Sequence, residues 1–264
     1  MDERDTSATI EYAVHTNKLC RVFGSLRAVE DLDLRVEPGT LYGFLGRNGA
    51  GKSTTIKMLT GILAPSSGSI TLLGVNPDDE AQAADVRRRI GVVPEDLALF
   101  ELLTGREYLN FVGTIYLLDE AMARERVDEL FEVLNVGATE KQLVLEYSHG
   151  MRKKLALAAA LIGDPALLFL DEPFEGVDAV SARVMRDILV RFVDRGGTVF
   201  ITSHVLDVIE RLCSHVGIID RGRLVYEAPL SSLEGRTLES LFIERVGDVG
   251  GMQTELRWLR EDGK

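Results

Sequence analysis

The chain has 264 residues, and 45% of them are hydrophobic, which excludes a disordered polypeptide and allows one large core or two closely joined parts. Its 42 Asp and Glu against 30 Lys and Arg give a formal charge of −12, which excludes nucleic-acid binding through bulk charge but leaves room for a local basic patch. Two cysteines far apart, Cys20 and Cys213, make no disulfide framework and point to a reducing compartment.

The opening "MDERDTSATI" is acidic and short of apolar residues, so no signal peptide is expected there. Extended, β-branched or alternating stretches follow: "ATIEYAVHTNKLCRVF", "DLDLRVEPG" and "TLYGFLG". From Gly51 the pattern turns helical in "GKSTTIKMLTGIL", which Pro65 and the turn "PSSG" terminate. "SITLLG" and "RRIGVVP" read as strands. Residues 96–163 are mostly helix-compatible. Strands return in "ALLFLD", "GGTVFITS", "HVGIID" and "GRLVYEA", with helical stretches such as "AVSARVMRDILVRFV" between them. The longest apolar run, Leu155 to Leu170, is broken by Gly163, Asp164 and Pro165, and neither half approaches the roughly 20 residues that span a bilayer. The expected fold class is α/β, a P-loop core on a parallel sheet. Antiparallel structure comes from the N-terminal strands and the late hairpin, and the helical block is an insertion.

Three stretches carry chemistry. "GRNGAGKST", Gly46 to Thr54, has the P-loop spacing of Gly, four residues, then Gly-Lys-Ser, between a strand and a helix. Its members Gly46, Asn48, Gly49, Ala50, Gly51, Lys52, Ser53 and Thr54 supply a tight turn whose N–H groups face phosphate oxygens. Lys52 adds a charge near the terminal phosphates, and the Ser53 hydroxyl is placed for Mg²⁺. "ALLFLDEP" delivers Asp171 and Glu172 at the carboxyl end of a buried strand, where α/β folds place ligands. Asp171 suits a metal role and Glu172 the base that orients water, beside the plainer reading of a helix-capping acidic turn. His204, in "FITSH", follows another buried strand and reads either as a γ-phosphate contact or as a structural imidazole. A fourth stretch, "YSHGM", sets a Ser and a Gly at a helix start, a second anion-binding geometry nearly a hundred residues after the first.

Together these segments resemble the nucleotide-binding subunit of ATP-binding-cassette (ABC) transporters of the bacterial exporter type, over about Ile10 to Phe242. The order is P-loop, lid loop, helical block, signature, acidic strand, dimer loop and switch His. The resemblance implies that residues 1–240 form one ATPase domain with a helical insertion at about 96–163, and that 241–264 are a short tail. It implies ATP and Mg²⁺ as ligands, with Glu172, His204 and Lys52 catalytic, and Ser53, Glu95 and Asp171 at the metal. Ser148 and Gly150 match the Ser and second Gly of the family's Leu-Ser-Gly-Gly-Gln, while Tyr147, His149 and Met151 depart from it. Glu95 stands where the family's lid loop usually has Gln, and an ionised Glu only accepts hydrogen bonds. "EGVD" keeps Gly176 and Asp178 of the dimer loop. Phe23 takes the place of the aromatic that stacks on adenine, with a core Phe as the rival reading.

The implied partners are a membrane-spanning permease subunit and a second ABC subunit. That second subunit, identical or related, packs head to tail so that each signature covers the other's ATP. No nucleic acid is expected. Residues Leu103 to Leu118 and the lid loop would offer a groove to a coupling helix of the permease. The implied location is cytoplasmic, peripheral on the inner face of the cell membrane. Two other functions fit the same motifs: a soluble ABC-type ATPase acting on nucleic acid or ribosomes, and a regulatory ATP-binding module with little turnover.

Overall fold

The computed structural model describes residues 10–136 and 141–247. Its strands are β1 (Val14–Phe23), β2 (Leu26–Leu32), β3 (Arg35–Val36), β4 (Leu41–Leu45), β5 (Ser67–Leu72), β6 (Ile90–Val93), β7 (Leu167–Asp171), β8 (Thr198–Ser203), β9 (His215–Asp220) and β10 (Arg223–Pro229). Its helices are α1 (Lys52–Leu59), α2 (Glu80–Arg88), α3 (Gly105–Ile115), α4 (Glu120–Leu134), α5 (His149–Leu161), α6 (Ala179–Asp194), α7 (Leu206–Leu212) and α8 (Leu238–Val246).

Six strands form the main sheet in the order β10-β9-β4-β8-β7-β6. All its pairings are parallel except the β9–β10 hairpin at one edge. The central strands β4, β7 and β8 are buried along their whole length, which is why their sequences are continuous apolar runs rather than alternating ones. A second, antiparallel sheet is built around β1, which pairs with β2, β3 and β5. The α/β class with extra antiparallel strands is as expected.

Two apolar cores lie on either side of this framework. One, containing Val14, Leu34, Phe44, Ile56 and Phe169, joins the antiparallel sheet and α1 to the main sheet. The other, containing Leu109, Val127, Leu155, Leu170, Met185 and Ile201, joins α3–α7 to the opposite face. Helix α8 crosses residue 240 and buries Leu238, Leu241 and Val246 in that second core. The rest of the C-terminal tail lies outside the described residues.

Between residues 96 and 163 the described residues contain helices α3, α4 and α5 and no strand. Each of these helices begins at a short polar cap: Thr104, Asp119 and Ser148 accept from Glu107, Met122 and Met151 amides respectively. No helix among the described residues is long and apolar enough to cross a membrane.

Candidate nucleotide site

The parallel register brings the carboxyl ends of neighbouring strands to one edge. Leu45 pairs with Ser203, Asp171 with Thr202, and Val93 with Leu170. The loop 46–51 after β4, the Asp171–Glu172 step after β7, His204 after β8 and Glu95 after β6 therefore meet at one place. Four segments up to 158 residues apart in sequence, Gly46 to His204, are joined by strand pairing alone.

Gly51 begins α1 with φ +114, a conformation side chains rarely adopt, and a Cβ there would lie 2.6 Å from the Ala28 carbonyl oxygen. No side chain caps α1, and Gly51 to Thr54 at its start line the cleft, which leaves its first-turn N–H groups open to an acceptor there. Lys52 is buried; its ammonium donates to the Gly46 carbonyl at 2.9 Å and lies 3.4 Å from Glu172 Oε1. The Ser53 hydroxyl donates to Glu95 Oε2 at 3.1 Å.

Glu172 is the centre of the arrangement. Its backbone is left-handed at φ +47, strain of the kind that persists only where the surroundings fix it. Its Oε2 lies 3.0 Å from His204 Nδ1 and accepts from the His204 amide at 3.3 Å. Its Oε1 is buried without a hydrogen-bond donor, a rare condition for a carboxylate oxygen. Asp171, beside it, accepts from the Thr202 hydroxyl at 2.5 Å, and that hydroxyl accepts from the Glu172 amide at 3.1 Å. Burial pushes the Asp171 carboxyl above its ordinary range, the Thr202 and Ser53 hydroxyls oppose that, and Glu95 and Glu172 add to it. Lys153 is buried behind this group, and burial lowers its ammonium pKa against the pull of Glu175, Asp171, Glu95 and Glu172.

Lys52, Ser53, Glu95, Glu172 and His204 line an open cleft of about 660 Å³. Of the expected site residues, Phe23, Asn48, Gly49, Gly51, Lys52, Ser53, Thr54, Glu95, Glu172 and His204 face it. Gly46, Ala50 and Asp171 do not line it: the Gly46 carbonyl accepts from Lys52, and Ala50 and Asp171 are buried beside lining residues. Phe23 is 43% exposed with the Arg21 guanidinium 4.5 Å over its ring, so it is no core residue.

Ser148, Gly150 and Asp178 do not line the cleft. Ser148 caps α5, Asp178 caps α6, and a Cβ on Gly150 would lie 3.6 Å from Asp178 Oδ2, so the three form a separate small surface. His149 adds an Nε2 contact to the Glu175 carbonyl at 3.2 Å, which ties that surface to the acidic loop.

Sequence reasoning missed Thr202, Lys153, Glu175 and the cleft arginines Arg27, Arg47 and Arg221. A Thr directly preceding "SH" at the end of a buried strand is a usable signal, and Arg47 and Glu175 stand inside "GRNGAGKST" and "EGVD"; Lys153, Arg27 and Arg221 have none.

Among the described residues no cluster of three or more His, Cys, Asp or Glu could hold a metal. Ser53, Glu95 and Asp171 instead offer one hydroxyl and two carboxylates. That donor set fits an ion which completes its sphere with phosphate and water, as Mg²⁺ does.

The family model described as "ABC transporter" matches residues 29–175, the P-loop through the acidic loop. The chain belongs to the ABC transporter family. Its relatives agree. It is 40% identical over 237 residues to the daunorubicin/doxorubicin resistance ATP-binding protein DrrA of Streptomyces peucetius, covering 90% of this chain and 71% of that one. It is 39% identical to the bacitracin transport ATP-binding protein BcrA of Bacillus licheniformis, over 86% of this chain and 73% of the relative. It is 36% identical to a Nod factor export ATP-binding protein I of Cupriavidus metallidurans, over 86% and 75%. A solved ATP-binding subunit of an ABC transporter superposes with TM-score 0.81 at 27% identity, covering 88% of this chain and 98% of that one. This ABC subunit is thus an ATPase, the ATP-binding partner of a transporter, on the P-loop fold.

Proposed function

We propose that this chain binds Mg-ATP between its own P-loop and the signature of a second ABC subunit, and that hydrolysis there drives export through a separate membrane-spanning subunit. The observation that carries the reading is Glu172: a buried carboxylate that lines the cleft, with Oε1 3.4 Å from the Lys52 ammonium and free of hydrogen bonds, and Oε2 3.0 Å from His204 Nδ1. Glu172 accepts a proton from the attacking water while His204 fixes the carboxylate's orientation. Lys52 and the N–H groups at the start of α1 hold the terminal phosphates and stabilise charge growing on them. Phe23, at the mouth of the cleft, gives the adenine a face to stack on. Ser53, Glu95 and Asp171 would hold Mg²⁺, which when bound supplies charge neutralisation between phosphate oxygens.

Ser148, Gly150 and Asp178 lie off the cleft, which supports a role toward the ATP of a partner subunit, identical or related. One ATPase domain, 1–240, with its helical insertion at 96–163, suffices for all of these parts. Export is supported by relatives named for drug resistance and Nod factor export. An apolar groove by α3, lined by Leu99, Phe100, Leu102, Leu103 and Phe111, supports docking to the permease from the cytoplasmic side of the membrane.

The test is Glu172→Gln. Turnover should fall at least about 100-fold with ATP binding retained. The variant's mass by light scattering should double only with Mg-ATP. Wild-type turnover in the variant would sink the assignment of Glu172. A monomer under all conditions, despite bound ATP, means a related but different subunit closes the site.

A further inference from the structure

We infer that Lys153 is a positioning residue that ties the signature helix to both the backbone of Glu172 and the lid loop at Glu95. The inference rests on the ATPase reading above. Lys153 lies on α5, five residues after Ser148, or about 7.5 Å along the helix axis, and only 1% of it is exposed. Its ammonium donates to the Glu172 carbonyl at 3.2 Å and to the Glu95 carbonyl at 3.4 Å. A buried ammonium is costly unless bonded, so these contacts hold the three segments together rather than decorate them. Both bonds are to main-chain oxygens, so they fix the path of the chain through residues 95 and 172 whatever those side chains do.

That matters most at Glu172, whose left-handed backbone needs fixing from outside. The Glu172 amide is held by Thr202 on one side, and its carbonyl by Lys153 on the other. The neighbouring lysine shows that this is a choice of partner. Lys154 is also buried, yet it donates at 2.9 Å to the Asn135 carbonyl at the end of α4, inside the helical block. One lysine anchors α5 to its helical neighbours; the other anchors it to the chemistry. A displacement of Ser148 and Gly150 by a partner's phosphate therefore reaches Glu172 and Glu95 through one rigid helix.

The experiment compares the full chain with Lys153→Met and Lys153→Arg by steady-state ATPase kinetics and thermal melting. It adds amide exchange for Lys153→Met and Lys154→Met. Lys153→Met should lower kcat about tenfold while KM for ATP moves less than about twofold, and Lys153→Arg should restore most of kcat. Amide exchange should quicken at Glu95, Asp96, Glu172 and Phe174 to Gly176 in Lys153→Met, and only around Asn135 in Lys154→Met. An unchanged kcat in Lys153→Met overturns the inference. So does an equal loss of kcat, ATP affinity and melting temperature in both Lys153 variants, which is the mark of a merely structural residue. A wild-type chain without ATPase activity overturns the function instead, and the exchange pattern then decides the role of Lys153 by itself.

Discussion

Thr202 shows how much of this site is decided by a single hydroxyl. It donates to Asp171 and accepts from the Glu172 amide, so one side chain on β8 sets two consecutive residues on β7. Its bond to Asp171 favours the charged carboxylate, which burial opposes. Thr202→Val keeps the shape and removes that bond, so the Asp171 pKa rises further. As pH falls, Asp171 then takes up its proton at a higher pH than in the wild type. The acid limb of ATPase activity, measured at subsaturating Mg²⁺, should move to higher pH, and stability should fall by about 1–3 kcal/mol. Superimposable pH profiles would count against Asp171 as a metal ligand. Lys153 cannot be found by spacing, because it works through partners 19 and 58 residues away that only strand pairing and helix packing bring close, whereas Thr202 stands at a readable place before "SH". Lys52, Glu172 and His204 were legible because each stands at a fixed offset from an apolar strand.

The elements follow the same division. Strands buried on both faces declared themselves as apolar runs, and α1 and α6 by their periodicity. Where charge hides the pattern, the elements do not show in sequence. Helix α2 occupies a stretch in which no helix was expected and ends at Arg88, the first residue of the expected strand "RRIGVVP". Only Ala83 and Val86 of that helix are buried residues of its apolar face, too few to show a period, while its Asp79 cap was visible but isolated. The expected strand "DLDLRVEPG" is divided. β2 ends at Leu32 after a left-handed Asp31 (φ +46), opposite register shifts in β1, and β3 keeps only Arg35 and Val36. Pattern alone does not report a bulge.

Helix α5 carries its function at its cap. Ser148→Ala should cost about 1 kcal/mol of stability, read by denaturant titration, by leaving the Met151 amide without its acceptor. The same variant should leave ATP binding to the isolated chain intact while ATPase activity falls about tenfold or more, since the hydroxyl serves the closed pair. Equal loss in binding and turnover would place Ser148 in its own chain's site. At the P-loop, Gly51→Ala should destabilise the chain by about 1–3 kcal/mol and abolish nucleotide binding, because the backbone at +114° and the Ala28 carbonyl both reject a Cβ.

At the scale of the molecule, the ATP cleft and the apolar groove lie on different parts of the structure and can be separated by substitution. Leu102 is 79% exposed and Phe111 44%, which is unusual for large apolar side chains on adjacent segments. Leu102→Lys with Phe111→Lys should leave the ATPase activity of the purified chain within about twofold of wild type, because surface changes away from a site seldom propagate. Recovery with membranes that contain the permease should be lost. Retained recovery would move the docking surface elsewhere. The family resemblance implies a groove beside Leu103 to Leu118, but that Leu99, Phe100 and Leu102 line it together with Phe111 is visible only in three dimensions.

The aromatic cluster under the site has a thermal consequence. Phe200 on β8 stacks on Tyr42 of β4 at 5.3 Å and packs tilted against Phe44 of β4 at 5.3 Å and Phe169 of β7 at 5.7 Å, and the Tyr42 hydroxyl donates to Glu227 on β10 at 2.5 Å. The strands that present the P-loop, the acidic pair and His204 are thereby locked by the same four rings. On warming, catalysis and the near-ultraviolet dichroism of those rings should disappear at one midpoint, with no active but loosened sheet in between.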